Sequence, residues 1–107
     1  MSMDAVFRAL ADKSRRHLLD RLQAKNGQTL GEMCAGLKMS RQAVAKHLAL
    51  LEGANLIATQ KRGREKLHFL NPVPINEIAE RWIGEYERAR LAALSDLKKQ
   101  LEGKNDE

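Results

Sequence analysis

Residues 29–51, TLGEMCAGLKMSRQAVAKHLALL, are the stretch that decides the fold of this 107-residue chain. Thr29 and Glu32 have the spacing of a capping box, in which each side chain accepts a hydrogen bond from the other residue's backbone N–H. Apolar residues at helical spacing follow, namely Leu30, Met33, Cys34 and Leu37. Ser40 then has the side chain that suits a helix N-cap. The pattern predicts a short helix, a turn and a second, longer helix.

The second predicted helix has two different faces. Its inward face carries Val44, His47, Leu48 and Leu51, and its outward face carries Arg41, Gln42, Ala45, Lys46 and Ala49. Two helices joined by a tight turn are typical of a helix-turn-helix. Arginine, lysine and glutamine donate to phosphates and base edges, and small alanines let a helix enter the major groove of DNA. This stretch therefore predicts DNA binding through the second helix, the recognition helix.

The charge of the chain is distributed unevenly. Lys and Arg number 19 against 14 Asp and Glu, which gives a formal net charge of +5. Residues 1–70 hold 13 basic and 6 acidic side chains, whereas residues 71–107 hold 6 and 8. The basic excess accompanies the predicted helix-turn-helix, as binding to a polyanion requires. An ordinary charged surface, the alternative explanation, does not predict this asymmetry.

Length and composition limit the class of protein. The 43% of hydrophobic residues supports one domain, predicted over residues 1–102, with a disordered tail at 103–107. A single cysteine permits no intramolecular disulfide and favours a reducing compartment. The sequence shows neither the pattern of a signal peptide nor a run of 18 apolar residues. We therefore expect a cytoplasmic protein without a membrane partner.

Two helices are predicted ahead of the helix-turn-helix. The first covers residues 4–10. The second begins near Ser14, is capped by Asp12 or by Ser14 itself, and ends at Gly27. Its apolar stripe comprises His17, Leu18, Leu19 and Leu22.

Residues 56–70, LIATQKRGREKLHFL, predict a β-hairpin directly after the recognition helix. Gly63 can supply the positive φ that a tight turn needs. The alternation predicts that one face carries Ile57, Thr59, Leu67 and Phe69. A hairpin in this position with a basic tip is typical of a wing, which can follow the DNA backbone or place an arginine in the minor groove.

Basic side chains outside the recognition helix form two groups of candidate DNA contacts. The wing carries Lys61, Arg62, Arg64 and Lys66. Alternatively, this hairpin is a solubilising turn with no partner. Arg15 and Arg16 lie in the first turn of the second helix, where they oppose the helix dipole. They are either contacts to DNA phosphates or a solvated surface pair.

A long last helix is predicted from Pro74, which suits the first helical position, to about Glu102. At 1.5 Å per residue it would be about 40 Å long and would overrun a small domain. A second copy of the chain is the simplest surface to cover its far half. The candidate dimer interface comprises Val6, Phe7, Ile78, Trp82, Tyr86, Ala89, Ala93 and Leu97.

Together these elements predict a mainly α fold with a small β-hairpin, a winged helix-turn-helix of about five helices and a two-stranded wing. The segments 9–22 (ALADKSRRHLLDRL), 37–57 (LKMSRQAVAKHLALLEGANLI) and 60–72 (QKRGREKLHFLNP) also carry a family resemblance. Over roughly residues 4–90, the chain resembles the ArsR-type winged-helix transcriptional regulators. The resemblance implies a homodimeric DNA-binding regulator, usually a repressor, joined through its first and last helices. It further implies that Arg62 and Arg64 belong to the wing and that the major groove faces Ser40, Arg41, Gln42, Ala43, Lys46 and His47.

The sequence departs from the family pattern at two kinds of position. Many relatives have glycine in the turn where this chain has Lys38, and a left-handed lysine would cost about 1–2 kcal/mol. The Cys-x-Cys pair of the metal-sensing branch falls on Thr29 and Gly31 here. The Asp-x-His of the family's other metal site is missing from the last helix as well. We therefore expect neither a metal nor a cofactor.

Other reactive side chains have more than one interpretation. Cys34 is either a small hydrophobe on the inward face or a thiol sensor. His47 either packs internally or contacts DNA. Trp82 and Tyr86 line either a dimer core or a ligand pocket. The sequence contains no Gly-rich phosphate loop, nucleophile elbow or zinc-protease motif, so we do not expect an enzyme.

The function hypothesis is a sequence-specific transcriptional regulator that binds double-stranded DNA. We expect a homodimeric repressor that occupies a promoter at an imperfect palindrome, with half-sites about 34 Å apart. The first alternative is a protein-interaction module that uses the long amphipathic last helix. The second is a thiol- or ligand-responsive sensor of the same fold. The sequence leaves the identity of any small-molecule effector open.

Overall fold

The computed structural model describes residues 2–105, without the side chains of residues 85, 86, 104 and 105. Its elements in order are α1 (Met3–Leu10), α2 (Lys13–Ala24), α3 (Leu30–Cys34), α4 (Arg41–Gly53), β1 (Ile57–Arg62), β2 (Glu65–Leu70), α5 (Val73–Trp82) and α6 (Gly84–Asn105). The two strands form one antiparallel hairpin. The chain forms two compact units, one up to Ile75 and the other from Asn76. The predicted fold class is confirmed, with six described helices instead of about five.

The core of the first unit joins α2, α3, α4 and the base of the hairpin. Its most deeply buried side chains come from all of these parts: Leu18, Leu22, Met33, Val44, Leu51, Leu56 and Ile57. Leu18 and Leu22 on α2 are four positions apart, and on α4 the buried Leu48 lies between Val44 and Leu51, which is the spacing of one helical face. Burial of a large aliphatic side chain stabilises a fold by about 1.5–3 kcal/mol. This core fixes the recognition helix α4 against α2 and α3.

Local capping explains where the helices of the helix-turn-helix begin. The Thr29 and Glu32 capping box is present, and the Ser40 hydroxyl accepts the Ala43 N–H at 3.1 Å. Gly36, at φ +76°, is the left-handed residue between α3 and α4. Lys38 does not have a positive φ, so the strain considered for it from the sequence does not arise.

The end of α2 differs from the prediction. The helix ends at Ala24, and Lys25 is its C-cap in an extended conformation, so Gly27 does not terminate it. His17 is exposed, unlike the other members of the predicted apolar stripe. The Asp12 carboxylate caps the start by accepting the Arg15 N–H at 3.0 Å, which confirms one of the two predicted caps.

Residues 26–28 pair with the hairpin, a connection that the sequence did not reveal. Gln28 and His68 form an isolated antiparallel bridge, with the His68 N–H donating to the Gln28 carbonyl at 2.8 Å. Gly27 has φ +78°, and a Cβ atom there would lie 2.9 Å from Cε1 of Phe69. The segment therefore requires glycine for its backbone conformation and also for its close approach to the hairpin.

The register of the hairpin corrects the predicted strand face. Ile57 is opposite Leu70, and Thr59 is opposite His68. Because side chains alternate along a strand, Leu67 and Phe69 lie on the opposite face from Ile57 and Thr59. Gly63, at φ +64°, is the first of two turn residues between the closing pair, as in the tight turns typical of hairpins.

The predicted long last helix is interrupted. Helix α5 begins at Val73, one residue before Pro74, and ends at Trp82. Gly84 has φ +68°, which a continuous helix cannot accommodate, and α6 starts there. Helix α6 continues to Asn105, so residues 103–105 of the predicted disordered tail are helical, whereas residues 106 and 107 lie outside the described residues. None of the helices among the described residues has the length and apolar character to cross a membrane.

Candidate nucleic-acid interface

The recognition helix α4 presents a polar surface with small residues between long ones. Arg41, Gln42, Ala45, Lys46 and Ala49 are all exposed. Val44, Leu48 and Leu51 are buried on the other side and anchor the helix. Ala43 is half-buried and Ser40 is exposed at the N-cap. The N-terminal half of the helix therefore offers arginine, glutamine and lysine donors on a surface that a groove can approach.

The start of the recognition helix and the tip of the wing face the same cleft. The cleft has a volume of about 400 Å³ and is lined by Thr29, Leu30, Gly31, Arg41, Arg64, Glu65 and Lys66. Arg41 and Arg64 come from different elements, and neither forms an ion pair with any described residue. Glu65 also lines the cleft but is not ion-paired with either arginine, so two guanidinium groups remain to attract an anionic ligand.

The four basic residues of the wing have different environments. Lys61, Arg62 and Arg64 are exposed at its tip. Lys66, in contrast, forms an ion pair with Glu52 of α4, with 3.2 Å between Nζ and Oε2. Three cations at the tip thus remain directed to solvent, and the fourth attaches the wing to the recognition helix.

Glu52 contacts both strands of the wing. Its Oε1 atom accepts a hydrogen bond from Thr59 Oγ1 of β1 at 3.1 Å, while Oε2 accepts from Lys66 of β2. Partial burial tends to raise the pKa of Glu52, but the hydrogen bonds from Lys66 and Thr59 outweigh it and hold the pKa below the ordinary 4.5. The carboxylate therefore stays charged near neutral pH and fixes the wing on α4.

Arg15 and Arg16, which the sequence offered as phosphate contacts, both form intramolecular hydrogen bonds. Arg15 donates through Nε to the Ala9 carbonyl at 2.8 Å and through Nη2 to the Arg8 carbonyl at 2.9 Å. Arg16 donates through Nη1 to the Leu10 carbonyl at 2.7 Å. These carbonyls belong to the end of α1, where helical acceptors lack partners. The Arg15 side chain is only 15% exposed, so the structure gives it a structural role, whereas Arg16 is exposed.

His47 of the recognition helix contacts Arg15 of α2. Its Nδ1 atom is 3.4 Å from Nη1 of Arg15, and the residue is half-buried. Because arginine is always a donor, Nδ1 accepts in this contact, and only the other ring nitrogen can donate. The hydrogen bond from the Arg15 backbone, together with the Arg15 charge, lowers the pKa of the nearby Asp12. His47 thus packs internally through one nitrogen while keeping a donor on the other.

Large exposed apolar side chains are concentrated on α6, with others on α1, α4 and α5. Val6, a predicted dimer residue, is 4% exposed because it belongs to the core of its own chain, which leaves little of its surface for a partner. Phe7, Trp82 and Leu97 are exposed and Ile78 is half-buried, whereas the Tyr86 side chain lies outside the described residues. Ala89 and Ala93 are exposed but small. The large exposed residues of α6 are Leu91, Leu94, Leu97 and Leu101.

The leucines of α6 follow one another at spacings of three, three and four, which is one helical face. At about 100° per residue, this face is centred about a third of a turn away from Ala89 and Ala93. A continuous helix from Pro74 would place these alanines on the same face as Trp82, but the interruption at Gly84 removes that relationship. The leucine face could have been found from the sequence by considering the spacing of apolar residues within α6 separately from α5.

The remaining candidate groups do not form a second site. Cys34 is half-buried on α3. Among the described residues, no group of three or more His, Cys, Asp or Glu side chains is placed to hold a metal ion.

The known proteins to which this chain is similar are helix-turn-helix transcriptional regulators. The helix-turn-helix domain family matches residues 10–60. Over 86 residues the chain is 37% identical to the "uncharacterized HTH-type transcriptional regulator YuzN" of Bacillus subtilis (strain 168), covering 75% of this chain and 94% of that protein. The transcriptional repressor SdpR of the same organism is 28% identical over 75 residues, 70% of this chain and 82% of that one. The solved structure of an ArsR-like transcriptional regulator from Rhodococcus sp. RHA1 is similar with a TM-score of 0.67 and 34% identity, over 89% of this chain and 91% of that chain.

Proposed function

This chain belongs to the ArsR-type winged helix-turn-helix transcriptional regulators, which bind DNA, and we propose that it acts as a homodimeric repressor that occupies a promoter. The observation that carries the proposal is the cleft shared by Arg41 of the recognition helix and Arg64 of the wing. A winged helix-turn-helix places these two elements in and beside the major groove. The family consists of regulators and is not an enzyme class, and the proposed site of action is the cytoplasm, where the DNA is.

The proposed contacts divide into two kinds. Gln42 and Lys46, with Ser40, Ala43 and His47 around them, read base edges, because they are on the N-terminal half of the recognition helix. Lys61, Arg62 and Arg64 contact phosphates or the minor groove from the wing. Arg41 lies in the cleft between the recognition helix and the wing. Among the remaining basic residues, Arg16 stays a candidate phosphate contact and Lys66 positions the wing.

A dimer follows from the exposed leucine face of α6. Leu91, Leu94, Leu97 and Leu101 are each about half exposed or more. Covering four such side chains by the same face of a second copy gives a two-fold interface. Two recognition helices related by that axis would then meet successive major grooves of an imperfect palindrome, about 34 Å apart.

We propose repression because a dimer can repress transcription simply by occupying the promoter. A dimer on a promoter competes with the transcription machinery and needs no further activity. The similarity to SdpR, itself named a transcriptional repressor, is consistent with this mode of action.

The experiment compares binding of the purified protein to duplex DNA from upstream of its own gene and to a random duplex, over a salt series. We expect the upstream DNA to bind about a thousandfold more tightly at physiological salt, with a steep dependence on salt. Gln42→Ala should weaken only the upstream complex, by about 1–3 kcal/mol. Arg64→Ala should weaken both complexes alike and flatten the salt dependence. Equal, weak binding of the unchanged protein to both duplexes would overturn the proposal.

A further inference from the structure

A second basic recess lies at the other end of α3 from the cleft of Arg41 and Arg64. Its volume is about 260 Å³, and its lining consists of Lys13, Ser14, His17, Leu37, Lys38 and Met39. Lys13, His17 and Lys38 are exposed, and no carboxylate lines the recess. Neither lysine forms an ion pair within the part of the chain that the structure describes. The recess is therefore a concentration of donors and positive charge without a counter-charge.

Its position relates it to the recognition helix. Lys38 precedes the N-cap Ser40 by two residues, so their Cα atoms are at most about 8 Å apart. The first cleft touches the start of α3 through Thr29 and Gly31, whereas the recess touches the segment after its end. The five residues of α3 span about 7 Å at 1.5 Å per residue. The cleft and the recess therefore lie toward opposite ends of α3, and the recognition helix begins just after the segment that lines the recess.

We propose that Lys13, Lys38, His17 and Ser14 form a second contact to DNA backbone phosphates, on the side of the recognition helix away from the wing. This inference rests on the proposed function, since it assumes that the start of α4 enters the groove. The wing and the cleft of Arg41 and Arg64 then hold one strand, and the recess holds the other. The ligand is a phosphate diester of the duplex backbone.

The chemistry of the recess fits this ligand. A phosphate diester offers oxygen acceptors and a single negative charge, and the recess offers two ammonium groups, a hydroxyl and an imidazole. Lys13, Ser14 and His17 lie in the first two turns of α2, where the positive end of the helix dipole adds to the attraction for an anion. Phosphate contacts fix the orientation of a protein on the duplex without reading its sequence. The recess thereby supplies a sequence-independent part of the affinity and fixes the angle of the recognition helix.

The test measures binding of the full-length Lys13→Gln/Lys38→Gln variant to both the upstream and the random duplex across 50–200 mM salt. Glutamine has nearly the same helix propensity as lysine. The control is Arg88→Gln/Lys99→Gln on α6, which removes the same charge from the other unit of the chain and lies away from the leucine face. Each lost phosphate contact reduces the slope of log affinity against log salt by about 0.9. The unchanged protein should therefore lose about tenfold more affinity per protomer than the recess variant over this range, on both duplexes, and the control should behave like the unchanged protein.

The results separate the inference from the proposed function. If the recess variant has the slope and affinity of the unchanged protein while Arg64→Ala does not, the second contact is refuted and the regulator remains. If recess variant and control lose slope equally, the effect is one of net charge and the inference is also refuted. If the unchanged protein does not prefer the upstream duplex, the proposed function fails independently. Thermal unfolding checks that both variants fold. We expect that they do, because exposed basic side chains contribute little to stability.

Discussion

Lys66 of the wing donates to Glu52 of the recognition helix at 3.2 Å, and this pair fixes the relative position of the two proposed DNA-contacting elements. The same carboxylate also accepts the Thr59 hydroxyl, so one side chain joins both strands to α4. The pair is partly exposed, with 51% of the Lys66 side chain and 39% of the Glu52 side chain accessible. Exposed ion pairs stabilise a fold by only about 0–1 kcal/mol. The contribution of this pair is therefore to the placement of the wing more than to stability.

The first prediction concerns Glu52→Gln. Simple electrostatics predicts tighter DNA binding, because a negative charge is removed near the polyanion. We expect instead that the ratio of the affinities for upstream and random DNA falls several-fold, because the wing loses its fixed position. Measured unfolding free energy should change by less than about 1 kcal/mol.

Two comparisons test this interpretation. Glu65→Gln removes the same charge from the wing tip, where no Glu65 ion pair is formed among the described residues, and should not reduce the preference. A Glu52→Gln protein that binds both duplexes more tightly and with unchanged preference would show that the pair has no positioning role.

The second prediction concerns acid. A backbone hydrogen bond from Arg15 lowers the pKa of Asp12, a hydrogen bond from Lys25 lowers that of Glu32, and the pKa of Glu52 is lowered as described above. The unfolded chain therefore binds more protons than the folded chain near the ordinary values of 3.8 and 4.5. The stabilisation from these groups is complete above those values and is lost as the pH falls through the lower folded values.

We expect the Tm to be insensitive to these carboxylates above about pH 6 and to fall as the pH drops below about 5. The Asp12→Asn/Glu32→Gln/Glu52→Gln variant keeps the caps, since Asn and Gln serve at these positions. Its Tm should depend less on pH between 6 and 3. Parallel curves for the two proteins in a calorimetric pH series would contradict the assignment.

The sequence predicted best where the determinants are local. The capping box at Thr29, the N-cap at Ser40 and the apolar face of α4 each depend on residues within one or two turns, and all are present. The hairpin was predicted, but its register was not, because alternation alone does not determine which residues are opposite one another. The two-residue turn at Gly63 and Arg64 sets that register, and counting outward from it places Ile57 opposite Leu70.

Contacts between distant segments were not predictable. The sequence places Arg15 in the first turn of α2 but contains no sign that its guanidinium turns back to the α1 carbonyls and to His47. The break at Gly84 had a signal, since glycine is the residue that accepts a positive φ, but the apolar periodicity on both sides concealed it.

The third prediction uses two glycines as a matched pair. Gly27 and Gly36 have nearly the same φ, +78° and +76°, but only Gly27 is close to another side chain, the Phe69 ring. Gly36→Ala should cost about 1–2 kcal/mol of unfolding free energy from backbone strain alone. Gly27→Ala should cost about 1 kcal/mol more, because the ring must also move. Urea denaturation gives both values, and equal losses would show that Phe69 adapts without cost.

The fourth prediction concerns the leucine face of α6, which the proposed dimer buries. Leu94 and Leu97 are 60% and 51% exposed in the single chain, so Leu94→Gln/Leu97→Gln removes little packing within it. Burying one leucine is worth about 1.5–3 kcal/mol, so losing two from each protomer should raise the dimer dissociation constant by roughly a hundredfold or more. The control, Asp96→Asn/Lys99→Gln, changes exposed residues on the opposite face and should leave association intact. Sedimentation equilibrium over a concentration series measures both. A variant that remains dimeric with the dissociation constant of the unchanged protein would place the interface elsewhere. Phe7 and Trp82 would then be the next residues to change, because they are the large exposed aromatic side chains among the described residues.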